Sequence, residues 1–177
     1  MRSNEVGAPV DQDGEPIPWY TYPTIDFIEP RTRTEFRVFE FGSGHSSLWY
    51  SDRVKEVVAV EDSKEWATAM QERSPSNLTV VYEPDLDDYA SEVTAHGSFD
   101  IVVIDGRVRQ SCVGPTLEAI TDHGVVILDD FERWDDSDWA RFRDAGFRAL
   151  PFVGPKAQRL TESCTGILYR DENCLDI

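Results

Sequence analysis

Lysine is nearly absent from this chain: Lys55, Lys64 and Lys156 are the only three among 17 basic residues, against 34 acidic ones and a net charge of −17. So few cations form no basic patch for a phosphate backbone, which argues against a nucleic-acid partner. The acids run along the whole chain and make no tail. Low lysine with abundant aspartate points to a salt-adapted surface, self-repelling in dilute buffer and screened in molar salt. An ordinary acidic cytosolic protein is the alternative. Cysteine is scarce too. Cys112, Cys164 and Cys174 show no C-x-x-C spacing, which excludes a disulfide framework and a structural zinc site. The histidines at 45, 96 and 123 have no ligand spacing. No run approaches ~18 apolar residues, so a membrane span is not expected. The opening MRSNEVGAPV lacks the apolar core of a secretory leader, and the expected location is cytoplasmic.

What is present suits one domain with a sizeable core: 177 residues, 40% of them hydrophobic. Residues 1–36 stand apart as a Pro/aromatic-rich extension or lid, with Trp19, Tyr20, Tyr22 and Phe27 set among five prolines and a short helix around 23–30. A regular alternation follows. Strands are expected at 37–41, 57–61, 78–83, 99–105 and 124–130. Helices are expected at 63–73, 86–93, 112–120 (interrupted by Gly114-Pro115) and 136–146. Two further strands, 147–153 and 164–170, lack a helix between them and should pair as an antiparallel hairpin across a polar loop. Nearly all-apolar strands alternating with helices imply an α/β fold with a parallel sheet covered on both faces.

In such a sheet ligands bind beyond the C-terminal strand ends. Gly42-Ser43-Gly44 follows the first strand and Glu61-Asp62 the second. Glu83-Pro84-Asp85 follows the third, Asp105-Gly106-Arg107 the fourth and Asp129-Asp130 the fifth. Glycines let a ligand approach the backbone, and free N–H groups at the next helix start can hold its polar atoms. An acid about twenty residues after the glycines suits a ribose diol, and Glu61 lies there. Ser47 replaces the third glycine of a dinucleotide fingerprint, and no catalytic Tyr-Lys pair is visible. Both weaken the reading as an NAD-dependent oxidoreductase.

On these residues the chain resembles the class I S-adenosylmethionine-dependent methyltransferases. The resemblance rests on E-x-G-x-G at 40–44, the acid closing the second strand, FDIVVIDG at 99–106 and the terminal hairpin. PWYTYPTIDFIE followed by VFEFGSGHSSLW also resembles a group of small methyltransferase-like proteins, with His45 where Asn is expected. The resemblance implies a Rossmann-like three-layer α/β/α sandwich, with a seven-stranded, mostly parallel sheet ending in an antiparallel hairpin, over residues 37–177. It implies S-adenosylmethionine as cofactor and a methyltransferase acting on a small-molecule O- or N-acceptor, as a monomer or homodimer. A non-catalytic protein that keeps the fold for binding is the other reading.

The resemblance also implies roles. Gly42, Ser43 and Gly44 would pass under the methionine and ribose, and Glu40 would anchor the loop or the amino group. Glu61 would hold the ribose hydroxyls, Asp85 the adenine amino group, and Asp105 would face the sulfonium and substrate. Catechol-type relatives place Mg²⁺ among acids at the positions of Asp105, Asp129 and Asp130, an all-oxygen set suited to a hard ion. Their lysine base, however, falls on Val108 here, and the favoured expectation is no metal. Arg107 and Arg109 are candidate anion binders, for a carboxylate or phosphate on the substrate or for surface ion pairs with nearby acids, and His45, which could act as a base, is expected in a solvent-exposed loop.

Overall fold

The apolar runs pair into one sheet in a computed structural model that describes residues 2–177. The strands are β1 (Arg37–Phe41), β2 (Glu56–Glu61), β3 (Leu78–Tyr82), β4 (Phe99–Ile104), β5 (Ile120–Leu128), β6 (Arg148–Lys156) and β7 (Arg159–Tyr169). Their spatial order is β3-β2-β1-β4-β5-β7-β6. The first five are parallel, and β7 runs antiparallel to both β5 and β6. The order reverses between β1 and β4, which opens a crevice at their C-terminal ends.

The helices are α1 (Arg2–Val6), α2 (Tyr22–Ile28), α3 (His45–Ser51), α4 (Lys64–Arg73), α5 (Leu86–Ser91), α6 (Val113–Ala119) and α7 (Ala140–Asp144). Alternate strand residues feed two cores. Val38, Val57, Ile101, Val103 and Ile127 pack with Trp49, Tyr50, Met70 and Ile28 on one face. Phe39, Phe41, Val58, Val102 and Val126 pack with Tyr89, Val113 and Phe142 on the other. The N-terminal extension belongs to the first core, for Ile17, Tyr20, Ile25 and Ile28 are buried there. Among the described residues no helix is long and apolar enough to cross a membrane.

Four element boundaries differ from expectation, each for a local reason. Pro115 does not interrupt α6, because it lies in the first turn where its missing N–H breaks no intrahelical bond. That helix runs directly into β5, which starts at Ile120 opposite Phe99 and not at 124. The expected helix 136–146 shrinks to the five residues of α7. Asp135 Oδ1 captures the N–H groups of Ser137 and Asp138 at 2.8 and 3.0 Å, a turn that competes with the helix. The polar loop expected between the last strands is a ladder extending to Lys156↔Arg159. Pro151 and Pro155 are tolerated because β6 is an edge strand.

Candidate cofactor site

A cavity of about 470 Å³ opens at the reversal between β1 and β4. The glycine loop forms its floor. Gly42 adopts φ +95°, and a Cβ there would stand 3.4 Å from Gly106 Cα. At Gly106 a Cβ would overlap the Tyr89 hydroxyl, at 2.0 Å. Gly42 is thus held to glycine by its backbone conformation, and Gly106 by the close approach of the Tyr89 hydroxyl and of the backbone at Phe41 and Gly42. Gly44 lines the cavity as Gly42 does, but a Cβ there would meet no protein atom within 4 Å. Of the two glycines in the motif, Gly44 is the one whose missing side chain leaves space for a ligand.

Ser47, in place of a third glycine, ties this loop together. Its hydroxyl accepts the Gly44 N–H at 3.1 Å and donates to the Glu40 carboxylate. Glu40 lines the cavity yet is only 1% exposed. Burial raises its pKa to about 7, against the opposing hydrogen bonds from Ser47 and Ser46. Two buried phenols stand near it, Tyr20 from the N-terminal extension and Tyr50 from α3. Neither hydroxyl reaches full hydrogen-bond geometry with a protein group. Burial, with the nearby Glu40 charge, raises both phenol pKa values.

Glu61 closes β2 and fastens the loop from the other side. Its Oε2 accepts the Ser43 N–H and hydroxyl, both at 3.1 Å, and its Oε1 accepts the Ser63 N–H at 3.0 Å. Trp66, on the first turns of α4, donates its indole N–H to Ser43 O at 2.7 Å and lines the cavity beside Asp62. Asp105 faces the cavity from the end of β4, with Arg109 3.1 Å away. Burial and the neighbouring Asp129 push its pKa well above the carboxylate range, against Arg109 and Lys156. His45 opens α3 and is half-buried on the cavity wall; burial and Arg73 lower its pKa. It is not the solvent-exposed loop residue expected.

The rest of the lining comes from the N-terminal segment and the β6–β7 turn. Gly7, Ala8, Pro9, Trp19 and Gln158 supply it. Trp19 donates to Ala157 O at 2.6 Å, and Gln158 Nε2 donates to Ser3 O at 3.2 Å, so the N-terminal extension is docked on the β6–β7 turn. The aromatic run at 19–22 signalled Trp19. Nothing in the local pattern signalled Gln158, and Trp66 read only as part of the helix expected at 63–73.

Three sequence-derived assignments fall elsewhere. Asp85 does not line the cavity; its carboxylate caps α5, accepting the N–H groups of Asp87 and Asp88 at 2.9 and 3.2 Å. Of the two alternatives for Arg109, the structure has the ion pair with nearby acids and not a group free for a substrate. Arg109 bonds the carbonyls of Gly106, Asp129 and Asp105 at 3.2, 2.7 and 2.9 Å, besides the Asp105 carboxylate. The alternative Mg²⁺ set of Asp105, Asp129 and Asp130 does not fit an ion. The Lys156 ammonium stands 2.8 Å from both Asp129 and Asp130, and Arg109, Arg133 and Arg159 lie within 3.7 Å of Asp130. No group of three or more potential ligands able to hold a metal occurs among the described residues.

No protein-family model matches the chain, and no curated protein sequence matches it. Solved structures do match. An O-methyltransferase from Bacillus cereus, in complex with S-adenosylhomocysteine, superposes with a TM-score of 0.67 over 96% of both chains at 14% identity. The fold is that of the class I methyltransferases. A precorrin-8w decarboxylase from Methanobacterium thermoautotrophicum matches at 0.60 and 15% identity, over 91% of this chain and 95% of that one. An rRNA methylase from Streptococcus thermophilus matches at 0.57 and 12%, over 82% and 92%. Proteins so unlike in what they act on share this methyltransferase fold, so the fold alone does not select an acceptor.

Proposed function

We propose that the protein transfers a methyl group from S-adenosylmethionine to a nucleophilic oxygen or nitrogen of a small molecule. The observation carrying this reading is the convergence of Gly44, Glu40, Glu61 and Asp105 on one cavity at the strand-order reversal. The residues suit the cofactor. Gly44 leaves open space, two buried carboxylates match an ammonium and a ribose diol, and the glycine loop presents no lysine or arginine of the kind a pyrophosphate would attract. The bound cofactor would supply an electrophilic methyl group on a sulfonium. Glu40 would then hold the amino group and Glu61 the ribose hydroxyls. Asp105 would face the sulfonium and orient the incoming acceptor, and the bound cation would favour its ionised form against the burial that raises its pKa. Arg107, the one arginine or lysine lining the cavity among the described residues, would offer a cation to an anionic group on acceptor or cofactor.

A small acceptor is favoured by the size of the cavity. Gly7, Ala8, Pro9, Trp19 and Gln158 add to the lining of a cavity of about 470 Å³, a volume suited to a small molecule, and the net charge of −17 repels polyanions.

The deciding experiment is a thermal-shift titration with S-adenosylhomocysteine and S-adenosylmethionine, in both dilute and molar KCl. Saturable stabilisation is expected, and its absence at both salts overturns the cofactor assignment. Binding with no turnover of any small acceptor would favour the non-catalytic reading. The same titration tests salt adaptation, which predicts a lower Tm for the ligand-free protein in dilute buffer than in molar KCl. An unchanged midpoint argues against it.

A further inference from the structure

Lys156 is the one lysine of three that is buried, at 4% exposure. Its Nζ donates to Asp129 Oδ2 and Asp130 Oδ1, each at 2.8 Å. Consecutive residues leaving a strand ordinarily point to opposite faces. Asp130 breaks that alternation with φ +48°, in the left-handed region that an L-residue enters at a cost and Asp tolerates better than most. The departure lets two adjacent carboxylates converge on one point, and the ammonium sits at that point. The remaining oxygens are spoken for. Thr165 Oγ1 donates to Asp129 Oδ1 at 3.1 Å, and Arg133 reaches Asp130 Oδ2 at 3.1 Å.

The residue bearing the ammonium also holds the cover of the cavity. Lys156 forms an antiparallel bridge with Thr21, whose N–H donates to Thr165 Oγ1 at 3.1 Å. The Trp19 ring lies with its centroid 5.7 Å from Lys156 Nζ, within reach of a cation–π contact. Carboxylates, ammonium and covering segment therefore form one connected unit.

We propose that Lys156 is a resident cation. Its ammonium fills the seat between Asp129 and Asp130 that a divalent ion would otherwise occupy, and the site is built to work without a metal while tying the N-terminal segment over the cavity. Convergent buried carboxylates need a cation, and here the chain provides its own, from a strand antiparallel to its neighbour and remote in sequence. The inference stands apart from the methyl-transfer reading, because it is read without cofactor or acceptor.

The test is Mn²⁺ binding, followed by electron paramagnetic resonance in molar KCl to suppress diffuse association with the acidic surface. The parent protein should show no saturable site that Asp129→Asn removes. Lys156→Ser should gain one such site, tighter than any in the parent by on the order of a hundredfold or more, since the one cation that faces both carboxylates is gone, while Arg109, Arg133 and Arg159 flank Asp130 alone. Adding Asp129→Asn to Lys156→Ser should abolish it. An Asp129-dependent site in the parent, or none in Lys156→Ser, overturns the proposal. If Lys156→Ser does not fold in metal-free buffer, circular dichroism decides. Folding restored by Mn²⁺ supports the resident cation, and a chain unfolded in both conditions overturns it.

Discussion

Glu61→Ala is expected to weaken S-adenosylhomocysteine binding by roughly a hundredfold, the loss of two hydrogen bonds to a charged acceptor. The geometry makes this more than the deletion of a surface acid. A carboxylate offers about four lone-pair positions, and three are engaged, two by Ser43 and one by the Ser63 N–H. A ribose diol brings two hydroxyl donors. One can take the open position, and the other must displace the Ser43 hydroxyl, whose rotor is the most easily turned of the three donors. Glu61 thus holds the glycine loop in place without ligand and exchanges one of those bonds on binding.

Two consequences separate a ribose contact from a merely structural role. Ser43→Ala removes the competing hydroxyl while keeping the backbone N–H, and should bind S-adenosylhomocysteine at least as tightly as the parent. Glu61→Ala should also lower stability by about 2 kcal/mol, because the loop N–H groups lose their acceptor. Isothermal titration calorimetry of both variants, with urea unfolding, reads all three quantities. Parent-like affinity in Glu61→Ala places the ribose elsewhere.

Glu40→Gln is expected to stabilise the protein at alkaline pH and to leave it nearly unchanged in acid. The folded-state pKa of Glu40 is raised from 4.5 to about 7 by burial. The native state thus binds more protons than the unfolded chain between these values, and stability falls as pH rises through that window. Glu40 costs nothing below the unfolded value. The full penalty of about 3 kcal/mol is reached once pH passes the folded value. Glutamine keeps an oxygen to accept from Ser47 and stays neutral throughout. The stability difference between variant and parent should therefore grow from pH 5 to a plateau above about 8. Urea unfolding across that range measures it, and a difference independent of pH would show that Glu40 does not titrate in the window.

The same carboxylate makes cofactor binding pH-dependent. A cationic ligand beside Glu40 favours its ionised form, so binding should release protons near neutral pH. Affinity for S-adenosylmethionine should then rise with pH through about 7 in the parent, and Glu40→Gln should remove that rise.

Much of the fold could be read in the sequence because it depends on local patterning. Runs such as RVFEF and FDIVVI are apolar on both faces, which only a doubly covered strand satisfies. The absence of a helix between the last two strands leaves an antiparallel hairpin as the short connection. The glycine loop and Glu61 were legible for a related reason: their positions follow from where strands end, and strand ends are marked by the end of an apolar run. The sequence by itself thus determined the sheet, its hairpin and the residues at its C-terminal ends.

What each acid does there was decided by tertiary structure. Asp85, Asp105, Asp129 and Asp130 look alike as acids after strands. Yet one caps a helix and another faces the cavity, while the last pair encloses an ammonium. The difference comes from a lysine 26 and 27 residues downstream, in a segment whose prolines and polar residues disguise an edge strand. Likewise, Gly42 and Gly44 are indistinguishable in a motif. Only the folded chain shows that Gly42 is needed for its φ of +95° and that Gly44 borders open space. Local pattern records which backbone a residue will adopt. Charge pairing and close approach are long-range, and they exist only once the chain has brought distant segments together.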